Sequence, residues 1–308
     1  MMVLDGPWQG WEPPPGPATV TVGVLDGVHL GHRALLAEMS PSLNRTVLTF
    51  EPHPVEVLRP GTPPRLITTL DERVGLLDGL GMEVVGVLDL REIKELEPEE
   101  FVTGLLVDQL SVSQLVTGVD FRFGKDRGGD VDLLARLGDR LGFAVIPVPI
   151  VSTGEAPISS SRIRSLIEEG RVAEANRLLG SRFTVANTVV GGDKRGREIG
   201  FPTANLRPPP RKLIPSHGVY ACFAGVGEKR HPAAVNVGVR PTFGGGDVLI
   251  EAYLLDFEGD LYDQEIRVEF VEYLRAELAF DSVDALIEQM AEDVSATRSI
   301  LDAAGDRM

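Results

Sequence analysis

Between residues 19 and 179 the chain alternates short apolar runs with segments of helical spacing, and this rhythm constrains the fold more than any other feature. The runs Thr19–Val24, Thr46–Phe50, Val84–Leu88, Gln114–Val119 and Phe143–Ile150 have strand character. Gly31–Met39, Asp71–Leu80, Pro98–Leu110 and Val131–Leu141 lie between them with helical spacing. Strands joined through helices imply a parallel sheet covered on both faces. Pro98-Glu99-Glu100 is a good helix start, with proline in the first turn and acids near the positive end of the dipole. Ser160–Glu169 and Val172–Leu179 extend the helical pattern, and Gly180 is a natural stop.

From Phe183 onward the rhythm changes. Phe183–Val190, Gly218–Phe223, Ala233–Val237, Val248–Leu255 and Glu265–Phe270 are β-rich and separated by Gly- and Pro-rich turns, which points to an antiparallel barrel or sandwich. Val283–Ala304 returns to helical spacing, with Ala285, Leu286, Met290, Val294 and Ile300 near one face. A chain of 308 residues suits two domains of roughly 150 residues each. The division expected is an irregular lead-in over 1–17, an α/β domain over 18–181 and a β domain over 182–308, with the boundary between Gly180 and Phe183.

Composition narrows what such a protein does. Against 30 basic residues stand 46 acidic ones, a net charge of −16, which argues against broad binding to nucleic acid or anionic membrane. A local basic loop that holds phosphate remains compatible with it. The single cysteine, Cys222, excludes an intrachain disulfide and a cysteine-based zinc site. With no basic residue before Arg33 and no apolar run near the roughly 18 residues needed to span a bilayer, a cytoplasmic location is expected.

The strongest local motif is Gly23-Val-Leu-Asp-Gly-Val-His-Leu-Gly-His32, directly after the first strand and opening the first helix. His29 and His32 are three apart, where backbone N–H groups and the positive helix end gather, a setting that suits phosphate. Gly27 and Gly31 let a ligand approach the backbone. The same spacing fits surface residues at a helix start, and a metal pair is a weaker reading because no third ligand stands out. Ile158-Ser-Ser-Ser-Arg-Ile-Arg164 opens another helix. Ser159 or Ser160 is a plausible cap, or these hydroxyls and Arg164 face the carboxyl edge of the sheet, where open α/β sheets bind ligands.

In the second half, Gly191-Gly-Asp-Lys-Arg-Gly-Arg-Glu-Ile-Gly-Phe-Pro-Thr-Ala-Asn205 combines glycines with Lys194, Arg195 and Arg197, a loop able to wrap phosphates or to be a plain charged turn. In extended chain Thr203 and Asn205 point the same way and offer the hard oxygens that Mg²⁺ takes. Glu251 stands in the otherwise apolar run Leu249–Asp256, facing water or a pocket in which it removes a proton.

Taken together, the first two motifs resemble the nucleotidylyltransferase superfamily with its His-x-Gly-His and Ile-Ser-Ser signatures. Thr49-Phe-Glu-Pro-His-Pro54 and Gly118-Val-Asp-Phe-Arg-Phe-Gly124 narrow the resemblance to the adenylyltransferase module of bacterial FAD synthetases. Pro202-Thr-Ala-Asn205, Gly218-Val-Tyr220, Asn236-Val-Gly-Val-Arg-Pro-Thr-Phe243 and Leu255-Asp-Phe-Glu-Gly-Asp-Leu-Tyr262 resemble the riboflavin kinase module in order and spacing. The resemblance implies a Rossmann-like nucleotidylyltransferase domain with a parallel sheet, then a six-stranded antiparallel barrel with a terminal helix.

It also implies site residues. Gly23, Asp26, Gly27, His29, His32, Ser159, Ser160 and Arg164 would serve ATP in adenylyl transfer, with Asp120, Phe121 and Phe123 near FMN. Gly192, Lys194, Arg197, Gly200, Thr203 and Asn205 would serve ATP in the kinase, Thr203 and Asn205 through Mg²⁺. Asn236, Arg240 and Arg275 would lie near the flavin, and Glu251 would be the general base on the riboflavin 5′-hydroxyl. The expected partners are riboflavin, FMN and ATP, with no nucleic acid or membrane, in a monomer or weak homo-oligomer. Leu25 stands where this family usually has phenylalanine, and Asp263 where it usually has glycine; the first is expected to alter packing under the loop, the second to accept a positive φ. Three other readings fit parts of the pattern: a kinase beside a silent adenylyltransferase, a pantetheine- or nicotinamide-type adenylyltransferase, and a flavin sensor without turnover.

Overall fold

The structure is a computed structural model that describes residues 1–191, 199–240 and 247–305, with the side chains of Arg240 and Asp247 outside the described set. The chain separates into two compact units, Met1–Ser160 and Ser161–Met308.

The first unit is built on six parallel strands: β1 (Met2–Leu4), β2 (Ala18–Val22), β3 (Asn44–Phe50), β4 (Val84–Leu88), β5 (Val112–Gly118) and β6 (Ala144–Val148). They lie in the order β1-β4-β3-β2-β5-β6. Their side chains feed two separate cores, as a sheet covered on both faces requires. Val20, Val22 and Leu88 pack with Phe101, Leu105, Leu134 and Leu137 on one face. Val47, Val85 and Val116 pack with Leu36 and Leu77 on the other. The helices of this unit are α1 (Leu30–Ala37), α2 (Pro54–Leu58), α3 (Leu70–Gly79), α4 (Leu90–Ile93), α5 (Pro98–Glu100), which runs on as a π-helix over Phe101–Gln109, and α6 (Val131–Leu141).

The lead-in differs from the irregular segment expected over 1–17. Met2–Leu4 pairs in parallel with Val84–Gly86 as an edge strand, and Trp11 is buried in the first core. A small hairpin, β7 (Ser152–Thr153) and β8 (Ala156–Pro157), follows β6, and α7 (Ser160–Glu168) and α8 (Val172–Leu179) come next. Gly180 ends α8 in the left-handed conformation.

The second unit carries β9 (Phe183–Val190), β10 (Ala204–Leu206), β11 (Gly218–Val226), β12 (Lys229–Arg240), β13 (Asp247–Leu254), β14 (Glu265–Arg275) and α9 (Val283–Ala304). The strands close as β10-β13-β12-β11-β14-β9, with β9 pairing back to β10, and every pair is antiparallel. The units divide at Ser160–Ser161 rather than between Gly180 and Phe183. The physical reason is Asn176 on α8. Its amide nitrogen donates to the Phe270 carbonyl at 2.8 Å and its oxygen accepts from the Phe183 amide at 2.7 Å, which fastens α8 to the barrel.

Candidate functional sites

In the first unit the chain leaves β2 at Val22 and enters α1 through a tightly constrained loop. Gly27 has φ 86°, the left-handed region where glycine carries no penalty. Leu25 (φ 49°) and Val28 (φ 40°) share that region without the glycine advantage, and a β-branched residue there is a true outlier. Such strain persists only when the surroundings over-determine it, and it concentrates at ligand clamps. Leu25 is buried in the second core with Val28 and Leu36.

His29 caps α1, its Nδ1 accepting from the His32 amide at 3.3 Å. The two rings stack with centroids 3.6 Å apart. His32 Nδ1 is buried with no hydrogen-bond partner among the described residues. Desolvation first, then the neighbouring His29 and Arg73, hold the His32 imidazole well below the usual histidine range, so it is neutral at neutral pH. Two stacked imidazoles at a helix start form an edge that suits an anion.

Asp26 holds the loop from within. It is buried, and its carboxylate accepts from the amides of Ile67 (3.1 Å) and Thr68 (2.8 Å). It therefore anchors the loop. Ser160 joins the same place, its hydroxyl donating to the Asp26 carbonyl at 2.9 Å. Gly23 donates its amide to the Leu48 carbonyl at the end of the sheet. Ser159 precedes α7 and Arg164 lies on it. The aromatic pair splits: Phe123 is 6% exposed and belongs to the core, whereas Phe121 is half-buried and Asp120 is exposed in the turn after β5. Their rings stack 5.7 Å apart, so Phe123 supports Phe121 from beneath.

In the second unit a cavity of about 560 Å³ gathers Thr203, Asn205, Asn236, Glu251 and Arg275. The barrel aligns them. Asn205 pairs with Glu251, Glu251 with Asn236, Asn236 with Val219, and Val219 with Arg275, one row across five strands. Residues directly opposite on neighbouring strands share a face, and the alternating Ile250 and Ala252 turn to the other face and are fully buried. Two register shifts between β11 and β14 bring Arg275 opposite Val219, the re-aiming that bulges perform beside sites.

Glu251 is half-buried, and among the described residues no group bonds its carboxylate. Asn205 is 6% exposed, and its Oδ1 is buried without a donor among the described residues. That orphaned oxygen, close in sequence to the Thr203 hydroxyl, suits a hard cation carrying phosphate and water.

Three groups at these sites were not anticipated. Asp293 of α9 takes both ends of Arg275, Nε to Oδ1 at 2.8 Å and the terminal nitrogen to Oδ2 at 2.6 Å. Glu277 accepts from Asn236 Nδ2 at 3.3 Å. Arg73 is buried beneath the first-unit loop. Asp293 left a trace in the sequence, an acid on the apolar face that Leu286, Met290 and Val294 define; Glu277 left none. Gly200 sits in a turn with φ 88°, and Asp263 has φ 61°, as expected for the residue that replaces glycine there. Gly192, Lys194 and Arg197 lie outside the described residues, and for Arg240 only its backbone pairing with Asp247 is described.

Comparison with known proteins identifies two family matches along the chain. The FAD synthetase family model matches residues 12–162 and the riboflavin kinase family model matches residues 179–301. A bifunctional riboflavin kinase/FMN adenylyltransferase of Listeria monocytogenes is 38% identical over 91% of each chain. That of Escherichia coli K12 is 39% identical over 89% of this chain and 90% of its own. A solved structure from Streptococcus pneumoniae, described as a macrolide-efflux protein, is 31% identical and superposes with a TM-score of 0.90 over 97% of this chain and 99% of that one. No described helix here is long and apolar enough to cross a membrane. Two family models in the right order, with relatives of this identity along nearly the whole chain, place it in the bifunctional riboflavin kinase/FMN adenylyltransferase family.

Proposed function

We propose that the two ATP-dependent reactions of this family are carried by separate domains, with kinase chemistry on the barrel domain (182–308) and adenylyl transfer at the carboxyl edge of the parallel sheet (18–181). The chain phosphorylates riboflavin to FMN and adenylylates FMN to FAD. The observation that carries the residue assignment is the row Asn205–Glu251–Asn236, in register and facing one cavity.

In the kinase step Glu251 takes the proton from the riboflavin 5′-hydroxyl as that oxygen attacks the γ-phosphorus of ATP, and ADP leaves. Thr203 and Asn205 hold Mg²⁺, which when bound neutralises charge on the phosphates. Asn236 and Arg275 orient the flavin, and Gly192, Lys194, Arg197 and Gly200 belong to the loop over ATP.

In the second step a phosphate oxygen of FMN attacks the α-phosphorus of another ATP, and pyrophosphate leaves. No strong base is required, because the FMN phosphate is already ionised at neutral pH. His29, His32 and Arg164 stabilise the charge that develops, and Ser159 and Ser160 hold the phosphates. Asp26 acts by anchoring the loop, and Asp120 and Phe121 meet the flavin. The enzyme works in the cytoplasm as a monomer or weak homo-oligomer on these small molecules, without nucleic acid or membrane, which its acid excess supports.

The test is direct. Protein incubated with riboflavin, ATP and Mg²⁺ is sampled over time and its flavins separated. FMN rising first and FAD following is the expected course. FMN that accumulates without FAD, even with pyrophosphatase present, overturns the adenylyl-transfer half. Riboflavin left unconverted overturns the kinase half.

A further inference from the structure

Arg73 heads the largest fully buried side chains of the fold, 1% exposed. It sits on α3 just past a capping box in which the Thr69 amide donates to Glu72 (2.8 Å) and the Glu72 amide to Thr69 (3.2 Å), so its backbone is fixed. A guanidinium keeps its charge in a protein, and burying one is costly unless its donors are used. None of the reaction steps above employs it.

Its donors reach the strained loop from two sides. One terminal nitrogen donates to Thr49 Oγ1 at 2.8 Å and to the Phe50 carbonyl at 3.3 Å, and the Thr49 hydroxyl donates onward to the Val24 carbonyl at 2.8 Å. The other donates to the Thr68 carbonyl at 3.5 Å. Thr68 in turn bonds the Asp26 carboxylate through its amide and hydroxyl, and accepts from the Gly27 amide at 3.0 Å. Val24, Asp26 and Gly27, three members of the segment that delivers His29, are thus tied to one guanidinium through a single intermediary each.

We propose that Arg73 is a positioning residue for adenylyl transfer, whose buried guanidinium holds the 24–28 loop, and with it the His29–His32 stack, in the arrangement that receives the phosphates. This rests on the reading of that stack as the phosphate site. The strain at Leu25 and Val28 is what makes the clamp necessary, since an unbraced loop would relax toward negative φ. The charge acts as well: the groups that bear on the His32 titration are His29 beside it and Arg73.

The test uses the full chain and three variants, Arg73→Met, Arg73→Lys and His32→Gln. FAD formation from FMN and ATP, FMN formation from riboflavin, and the NMR titration of the His32 ring (assigned by its loss in His32→Gln) are measured on each preparation. Arg73→Met is expected to lower kcat for FAD formation about a hundredfold, the scale of a misplaced reacting group, with FMN formation unchanged and His32 titrating at higher pH. Arg73→Lys keeps the charge but not the fork, so the His32 titration stays as in wild type while kcat falls about tenfold.

Wild-type kcat in either variant overturns the proposal, and so does a fall in kcat for Arg73→Met with no change in the His32 titration. Should Arg73→Met fail to fold, Arg73→Lys decides by the same kcat criterion. If His32→Gln itself makes FAD at the wild-type rate, the phosphate-site reading fails. If it is inactive while the Arg73 variants are normal, only the role of Arg73 fails.

Discussion

Arg275 at the end of β14 and Asp293 on α9 meet fork to fork, both carboxylate oxygens accepting from different guanidinium nitrogens, at 2.8 and 2.6 Å. The pair links the barrel cavity to the terminal helix, which otherwise contributes only apolar lining through Leu286, Met290 and Val294. Asp293 is 8% exposed, so its removal leaves a poorly hydrated charge on Arg275. Asp293→Ala should cost about 3 kcal/mol of stability and raise KM for riboflavin, while the conversion of added FMN to FAD is unaffected. Calorimetry and the separate assays check both parts.

Glu251→Gln keeps the shape of the row but cannot accept the proton. FMN formation should fall by about 10²- to 10⁴-fold, and FAD formation from supplied FMN should continue. A variant that loses both activities while folded would contradict the division between units.

The converse holds for His29→Ala. It removes the cap of α1 and one ring of the stack. FAD formation should drop by about 10²- to 10³-fold, with riboflavin phosphorylated at the wild-type rate.

Gly238→Ala probes a packing constraint. A Cβ there would lie 2.3 Å from Glu277 Oε1 and 3.2 Å from Asn236 Nδ2. The carboxylate is the movable end of a side chain, so the fold should survive, but the Asn236–Glu277 contact should not. A higher KM for riboflavin with little change in melting temperature is the expected signature.

The pH dependence of stability follows from His32. Its folded pKa lies well below 6.5, so as pH falls below about 6.5 the unfolded chain takes up a proton that the folded chain refuses. Stability is therefore full above that pH and is lost on the acid side. Denaturation midpoints at pH 7.5 and 5.5 should differ by less in His32→Gln than in wild type.

The long elements were legible because periodicity and burial agree in them. Val84–Leu88, Val131–Leu141, Val172–Leu179, Phe183–Val190 and Val283–Ala304 end where the pattern ends. What escaped was short or held by distant contacts. Met2–Leu4 and Ala204–Leu206 have three residues each, too few to show alternation, and gain strand geometry from their partners β4 and β9–β13. That Phe123 is buried in the core, with Phe101 and Phe121 packed on it, is not visible in its motif. Arg73 was hidden among ordinary helix residues, since nothing local distinguishes a buried arginine from a solvated one. The Asn205–Glu251–Asn236 row is a property of register, which no single stretch of sequence displays.

Ring closure gives that row an uncommon security. In an open sheet an edge strand can slide by one residue, and such a slip turns every side chain to the opposite face. Here β9 pairs with both β14 and β10, so no barrel strand has a free side along which to slide. Misalignment of Glu251 from Asn205 would require several ladders to break at once. In a denaturant titration the kinase should therefore switch off with the barrel as one event, with no range in which the barrel stays intact and the chemistry is slack.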